Sequence, residues 1–216
     1  MTERGKARRF ALLDLVTTGR LGPLQTGMTM GFAASVLGPP RYWNANLDNP
    51  DAIPSFWGYS HLEFSFIPDG KGKTICNWFQ FDNVMLAGKR VSKEAEGFSI
   101  WLGDFGSKSR PSDFLRSLQG RNDVVVQLCD EAGQAGVTIK VSDTVKVIFN
   151  EEETGFDAFM QLGFAERIGI IERKGYCHCI TSSLPDKEIE AHDFNKHGKE
   201  WITPVDFLRI ADASSQ

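Results

Sequence analysis

A chain of 216 residues with 41% hydrophobic and 24% charged side chains is excluded from the disordered class, and at this length folding buries roughly 70% of the unfolded surface without help from disulfides. A net charge of −4, with bases interspersed among acids beyond Arg4 to Arg9, leaves no field that would collect nucleic acid. Four scattered cysteines (Cys76, Cys129, Cys177, Cys179) form no disulfide framework and agree with a reducing, cytoplasmic setting, and no run approaches the roughly 18 apolar residues of a membrane span.

The start, Met1 to Phe10, is polar and basic, and the apolar run behind it, Ala11 to Val16, carries Asp14, so it does not read as a secretory signal. Phe10, Leu13 and Val16 with Ala11, Leu12 and Leu15 make a broad stripe that predicts an amphipathic helix over residues 7–18. After a turn at Leu21-Gly22-Pro23-Leu24, Thr29 is placed to cap a second helix. Phe32 and Val36 share one of its faces, Gly38 supplies a left-handed exit, and Pro39 and Pro40 forbid continuation. The loop from Arg41 to Ser55 holds turn formers and two prolines, yet also Tyr42 and Trp43, with Phe56 and Trp57 directly after it. Large aromatics beside a polar loop are either a binding patch or the lid of the core.

From Leu62 the period becomes two, with Leu62, Phe64 and Phe66 on one face and His61, Glu63 and Ser65 on the other, the pattern of a half-buried antiparallel strand. Pro68 to Lys73 turns the chain back, and Ile75, Phe79 and Phe81 continue the alternation with Trp78 opposite. The Gly70 to Thr74 run lacks phosphate-loop spacing and joins two strands. Residues 97–102 predict a further strand. Pro111 opens a helix through Phe114, Leu115 and Leu118, with Ser112 and Asp113 as cap candidates and Gly120 as stop. Val124 to Cys129, Val137 to Val141 and Val145 to Phe149 predict sheet, and Phe156 to Phe164 a returning segment. Ile168 to Ile171 and Tyr176 to Thr181 also read as strands, before a polar stretch from Leu184 and a short helix at Pro204.

Gly38, Phe32 and Val36 stand at one common offset from Gly120, Phe114 and Leu118. Leu62, Phe64 and Phe66 stand at nearly the same offset from Val145, Val147 and Phe149, as do Phe79 and Phe81 from Leu162 and Phe164. The expectation is an α+β fold of tandem helix-plus-antiparallel-sheet units packed as one body. Residues 1–23 form a lead-in helix and turn, 24–105 and 106–183 the two units, and 184–216 a C-terminal segment.

Chemistry-bearing residues are sparse. There is no G-x-S-x-G elbow, and His61 alternates outward with Glu63 and Ser65 as on a solvated face. Cys177-His178-Cys179 is the best metal candidate, because on a regular strand both sulfurs share a face. It supplies two ligands, and His192 or His197 would have to complete a site; two buried thiols are the plainer alternative. Glu151-Glu152-Glu153 is an acidic turn, either a solvated hairpin tip or a patch that steers a basic partner.

The string Gly27-Met28-Thr29, Val36-Leu37-Gly38-Pro39-Pro40, Trp57-Gly58-Tyr59 and Leu62-Glu63-Phe64-Ser65-Phe66 resembles the signature of the beta-lactamase inhibitor protein and small outer-membrane lipoprotein A superfamily. The resemblance implies a helix followed by antiparallel sheet, repeated in the inhibitor to form a concave sheet that grips a partner. It departs from the secreted members in having no signal peptide, lipidated cysteine or repeat-wise disulfides, so it implies neither an envelope role nor a beta-lactamase target. The function expected is a non-enzymatic bacterial immunity or inhibitor protein that covers the active site of a toxin or enzyme. Its expected anchors are Trp43, Phe56, Trp57, Tyr59 and Trp78, with Glu151, Glu152 and Glu153 steering, and no cofactor, nucleic acid or membrane is implied. A metal-dependent protein or enzyme around Cys177, Cys179 and His192 or His197, and a structural subunit of an assembly, are the contrasting expectations.

Overall fold

The computed structural model describes residues 8–44, 55–82, 84, 90–106, 108–128, 135–185 and 200–214. Among them the chain forms six helices and twelve strands in two sheets, a mixed α+β fold. His192, His197 and Cys129 lie outside the described residues, as do the basic start before Arg8 and most of the polar stretch after Leu184.

The chain opens as a strand, β1 (Arg8–Ala11), and only then becomes helix α1 (Leu12–Thr18). The expected helix over 7–18 is therefore cut short, because β1 finds a parallel partner in β7 (Phe98–Trp101), far beyond any local period. With β6 (Val91–Ala95) these make a three-stranded sheet. Helix α2 (Met30–Leu37) starts as expected, Thr29 Oγ1 accepting from Phe32 N at 3.2 Å. Its core face differs: Ala33 and Leu37 are buried, whereas Phe32 is 43% exposed. Gly38 leaves at φ 76° and ψ −166°, a region open only to glycine but not the left-handed helical one.

Two antiparallel meanders follow. The first is β2 (Tyr42–Trp43), β3 (Phe56–Gly58), β4 (Leu62–Pro68) and β5 (Thr74–Asp82). After helix α3 (Pro111–Ser117) comes the second: β8 (Val125–Leu128), β9 (Gly136–Lys140), β10 (Val145–Asn150) and β11 (Tyr176–Ser183). Their last strands, β5 and β11, pair antiparallel at the centre, and β12 (Glu200–Ile202) adds to β8, giving one nine-stranded sheet. Registers correspond: Trp43, Trp57, Phe64 and Phe79 form one rung across the first meander, and Val126, Ile139, Val147 and Ile180 the matching rung across the second.

The sequence echo holds at the strand of Leu62, Phe64 and Phe66, whose counterpart is β10, and fails at the strand of Phe79 and Phe81. Where the first meander has a hairpin loop, the second inserts α4 (Phe156–Gln161) and α5 (Phe164–Lys174) between β10 and β11. The strands expected at 156–164 and 168–171 are these helices. Phe164, Ile168 and Ile171, spaced four and three, are one helical stripe, and Ile180, not Leu162, is the counterpart of Phe79.

One face of the large sheet carries Leu62, Phe64, Phe66, Phe79, Phe81, Val147 and Phe149, all buried, under α1, α2, α3 and α6 (Pro204–Ser214). Full burial of each such side chain is worth about 1.5–3 kcal/mol. Phe64 stacks on Phe79 at 5.6 Å, and Phe114 of α3 meets Phe149 edge-on at 5.4 Å. The start of α3 is tied down by α5, where the buried Glu172 accepts from Ser112 N and Ser112 Oγ at 3.2 and 2.6 Å. Burial pushes the Glu172 carboxyl above its ordinary value despite those bonds. Among the described residues no helix is long and apolar enough to cross a membrane.

Candidate functional site

Among the described residues, the helices that contact the sheet lie on its packed face, and the second face carries the side chains that alternate away from them. Toward β8 and β9 it is closed, with Gln127 and Thr138 buried; toward β2–β5 it is half open. Here Tyr42 stands opposite Gly58, Gly58 opposite Glu63, Glu63 opposite Gln80 and Gln80 opposite Thr181, one rung crossing five strands. Gly58 has no side chain, so the Tyr42 ring folds across it; a Cβ there would overlap the ring. The rung is wired by hydrogen bonds. Tyr42 OH donates to Glu63 Oε1 at 3.2 Å, Gln80 Nε2 to Glu63 Oε2 at 2.9 Å, and Thr181 Oγ1 to Gln80 Oε1 at 3.4 Å.

The neighbouring rung is Phe56, Ser65, Trp78 and Ser183. Ser65 is small, so the Phe56 and Trp78 rings approach over it to 6.3 Å, and Tyr42 lies 6.2 Å from Phe56. Three half-exposed aromatics therefore frame one carboxylate. The Tyr42 phenol is pushed up to about 12, first by partial burial and then by the Glu63 charge and hydrogen bond, with Asp82 and Glu94 adding to the negative field. Glu94 is wholly buried and accepts from His61 N at 2.6 Å and Ser92 Oγ at 2.5 Å, joining the small sheet to the large one.

Of the expected anchors, only Phe56 and Trp78 come together on this face. Trp57 turns to the packed face and meets Phe66 edge-on at 5.0 Å. Tyr59 is 1% exposed, packs on Phe64 and donates to Gly38 O at 2.9 Å, so it is core and offers no surface. Trp43 is 55% exposed, on the same side of the edge strand as Trp57. The three glutamates have separate structural roles. Glu151 is buried and accepts from Glu153 N and Thr154 N, Glu152 accepts from Tyr176 OH, and Glu153 pairs with Lys174 at 2.9 Å.

The cysteines do not share a face. A bulge in β11 opposes Cys179 to Ile148 and Cys177 to Phe149, successive residues of β10 that point to opposite sides. Burial pushes the Cys177 thiol well up, keeping it protonated. Among the described residues no three His, Cys, Asp or Glu side chains converge at metal-binding distance. A second bulge, at Asn77 of β5, brings Cys76 opposite Phe66, so that Cys76 rather than Ile75 lies on the buried face with Phe79 and Phe81. An apolar cleft of about 550 Å³ lies elsewhere, between α3, β8, β12 and α6, lined by Leu118, Val125, Trp201 and Val205; Arg121 at its edge is already bonded to Asp123.

Tyr42, Gly58, Glu63 and Gln80 escaped the sequence expectations as site residues. The one signal that pointed to them was the aromatic Tyr42 in a polar loop; the rest depends on strand register. No family model, curated protein or solved structure matches the chain.

Proposed function

We propose that the protein is a non-enzymatic binding module that holds a partner protein against the β2–β5 end of its second sheet face. The observation that carries this is the cluster of Tyr42, Phe56 and Trp78, half exposed, around Glu63 on an antiparallel sheet. Aromatic side chains in such a setting supply large contact area at small entropic cost, and a hydrogen-bonded rung beneath them holds their positions. The narrower reading, that the partner is a toxin or enzyme whose active site is covered, rests on the superfamily resemblance.

The test is affinity capture from native lysate with wild-type protein and with a Phe56→Ser, Trp78→Ser variant of unchanged circular dichroism. One protein retained stoichiometrically by wild type and lost by the variant supports the reading. Equal retention by both, or no specific retention, overturns it.

A further inference from the structure

Resting on that surface, we infer that the partner inserts an arginine, whose guanidinium sits on Glu63 between the rings of Tyr42, Phe56 and Trp78. Glu63 is a half-buried carboxylate whose bonds come from two neutral donors, Tyr42 OH and Gln80 Nε2, one to each oxygen. Among the described residues no Lys, Arg or His lies within ion-pair distance of it, and Arg116, Arg121, Arg167, Lys174 and Arg209 pair with other carboxylates. An ionised carboxylate offers about four acceptor sites, so each Glu63 oxygen keeps roughly one.

A charge held partly out of water without a counter-charge is the state that a cation relieves. Glu94, wholly buried and bonded to neutral donors, adds to the negative field at Tyr42. The surroundings choose among cations. Aromatic faces attract a delocalised, weakly hydrated cation, and a guanidinium fork meets both carboxylate oxygens at once, which an ammonium cannot.

The probe is a displayed library of random peptides selected on the wild-type full-length protein, the binders then sorted by loss of binding to Trp78→Ala. The expected result is that the Trp78-dependent peptides share an arginine and bind Glu63→Gln at least 10-fold more weakly. Replacing that arginine with citrulline or lysine should weaken wild-type binding comparably, and the citrulline peptide should no longer distinguish Glu63→Gln from wild type. Glu63→Gln keeps the fold, since a Gln amide can donate to Tyr42 O and accept from Gln80 Nε2. Trp78-dependent peptides that lack arginine, tolerate lysine, or bind Glu63→Gln equally well overturn the guanidinium and leave the surface standing. If no selected peptide depends on Trp78, the surface falls and the inference with it.

Discussion

Replacing Tyr59 with Phe separates its role in the core from any role in binding, through a stability difference that changes sign with pH. Tyr59 is 1% exposed and its hydroxyl donates to Gly38 O at 2.9 Å. Losing that bond costs about 1 kcal/mol at neutral pH. Burial raises the phenol from 10.0 to about 12, so between these values the folded state keeps a proton that the unfolded state releases. A group raised in this way stabilises the fold below its unfolded pKa, and the contribution is lost as pH rises through the folded one. Wild type should therefore lose about 1.4 kcal/mol to Tyr59 by pH 11, and Tyr59→Phe nothing from this source. The two stabilities should cross near pH ~10.6, with wild type ahead below and the variant ahead above. Urea denaturation of both proteins at pH 7, 9, 10 and 11, under reductant, reads this directly. Tyr42, Tyr176 and the thiols titrate in both and cancel. Parallel curves across that range would refute a buried, hydrogen-bonded Tyr59.

Gly58→Ala should leave the fold intact within about 1 kcal/mol, because the Tyr42 ring that it overlaps can swing outward. The Tyr42 phenol should then fall from about 12 toward 10, read by ultraviolet titration against a Gly58→Ala, Tyr42→Phe control; an unchanged phenol contradicts the rung geometry. Arg167 is buried between Phe159 and Phe164 and pairs with Glu200 at 2.5 Å. Glu200→Ala should destabilise by about 3 kcal/mol by leaving that charge uncompensated, whereas Arg167→Met should stay within about 1 kcal/mol. Urea midpoints in the reverse order would show that water reaches the guanidinium.

Features written in short-range chemistry were legible in the sequence. The Thr29 cap, the alternation of Leu62, Phe64 and Phe66, and the Pro111 start each depend on residues within a few positions of one another. Register was not legible. Both bulges swap the faces of cysteines, turning Cys76 inward in β5 and parting Cys177 from Cys179 in β11, and a single unpaired residue does this without any compositional mark. The short apolar run Ile168 to Ile171 fits strand or helix, and only its place in a longer stripe decides for α5. Trp57, Gly58 and Tyr59 look like one patch in sequence, yet the chain turns after β3 and takes Tyr59 to the end of α2. Conversely Tyr42, Glu63 and Gln80, far apart in sequence, meet because four antiparallel strands, β2 to β5, place them on one rung.

The most direct test is the dissociation constant of the captured partner for Trp78→Ala set beside Trp43→Ala. Both tryptophans are accessible, but only Trp78 belongs to the ring cluster around Glu63. Trp78→Ala should weaken binding by about 30-fold or more, the 2 kcal/mol of a binding hot spot, while Trp43→Ala changes it by less than about 3-fold. The reverse order, or no loss at Trp78, would contradict the assignment of this face.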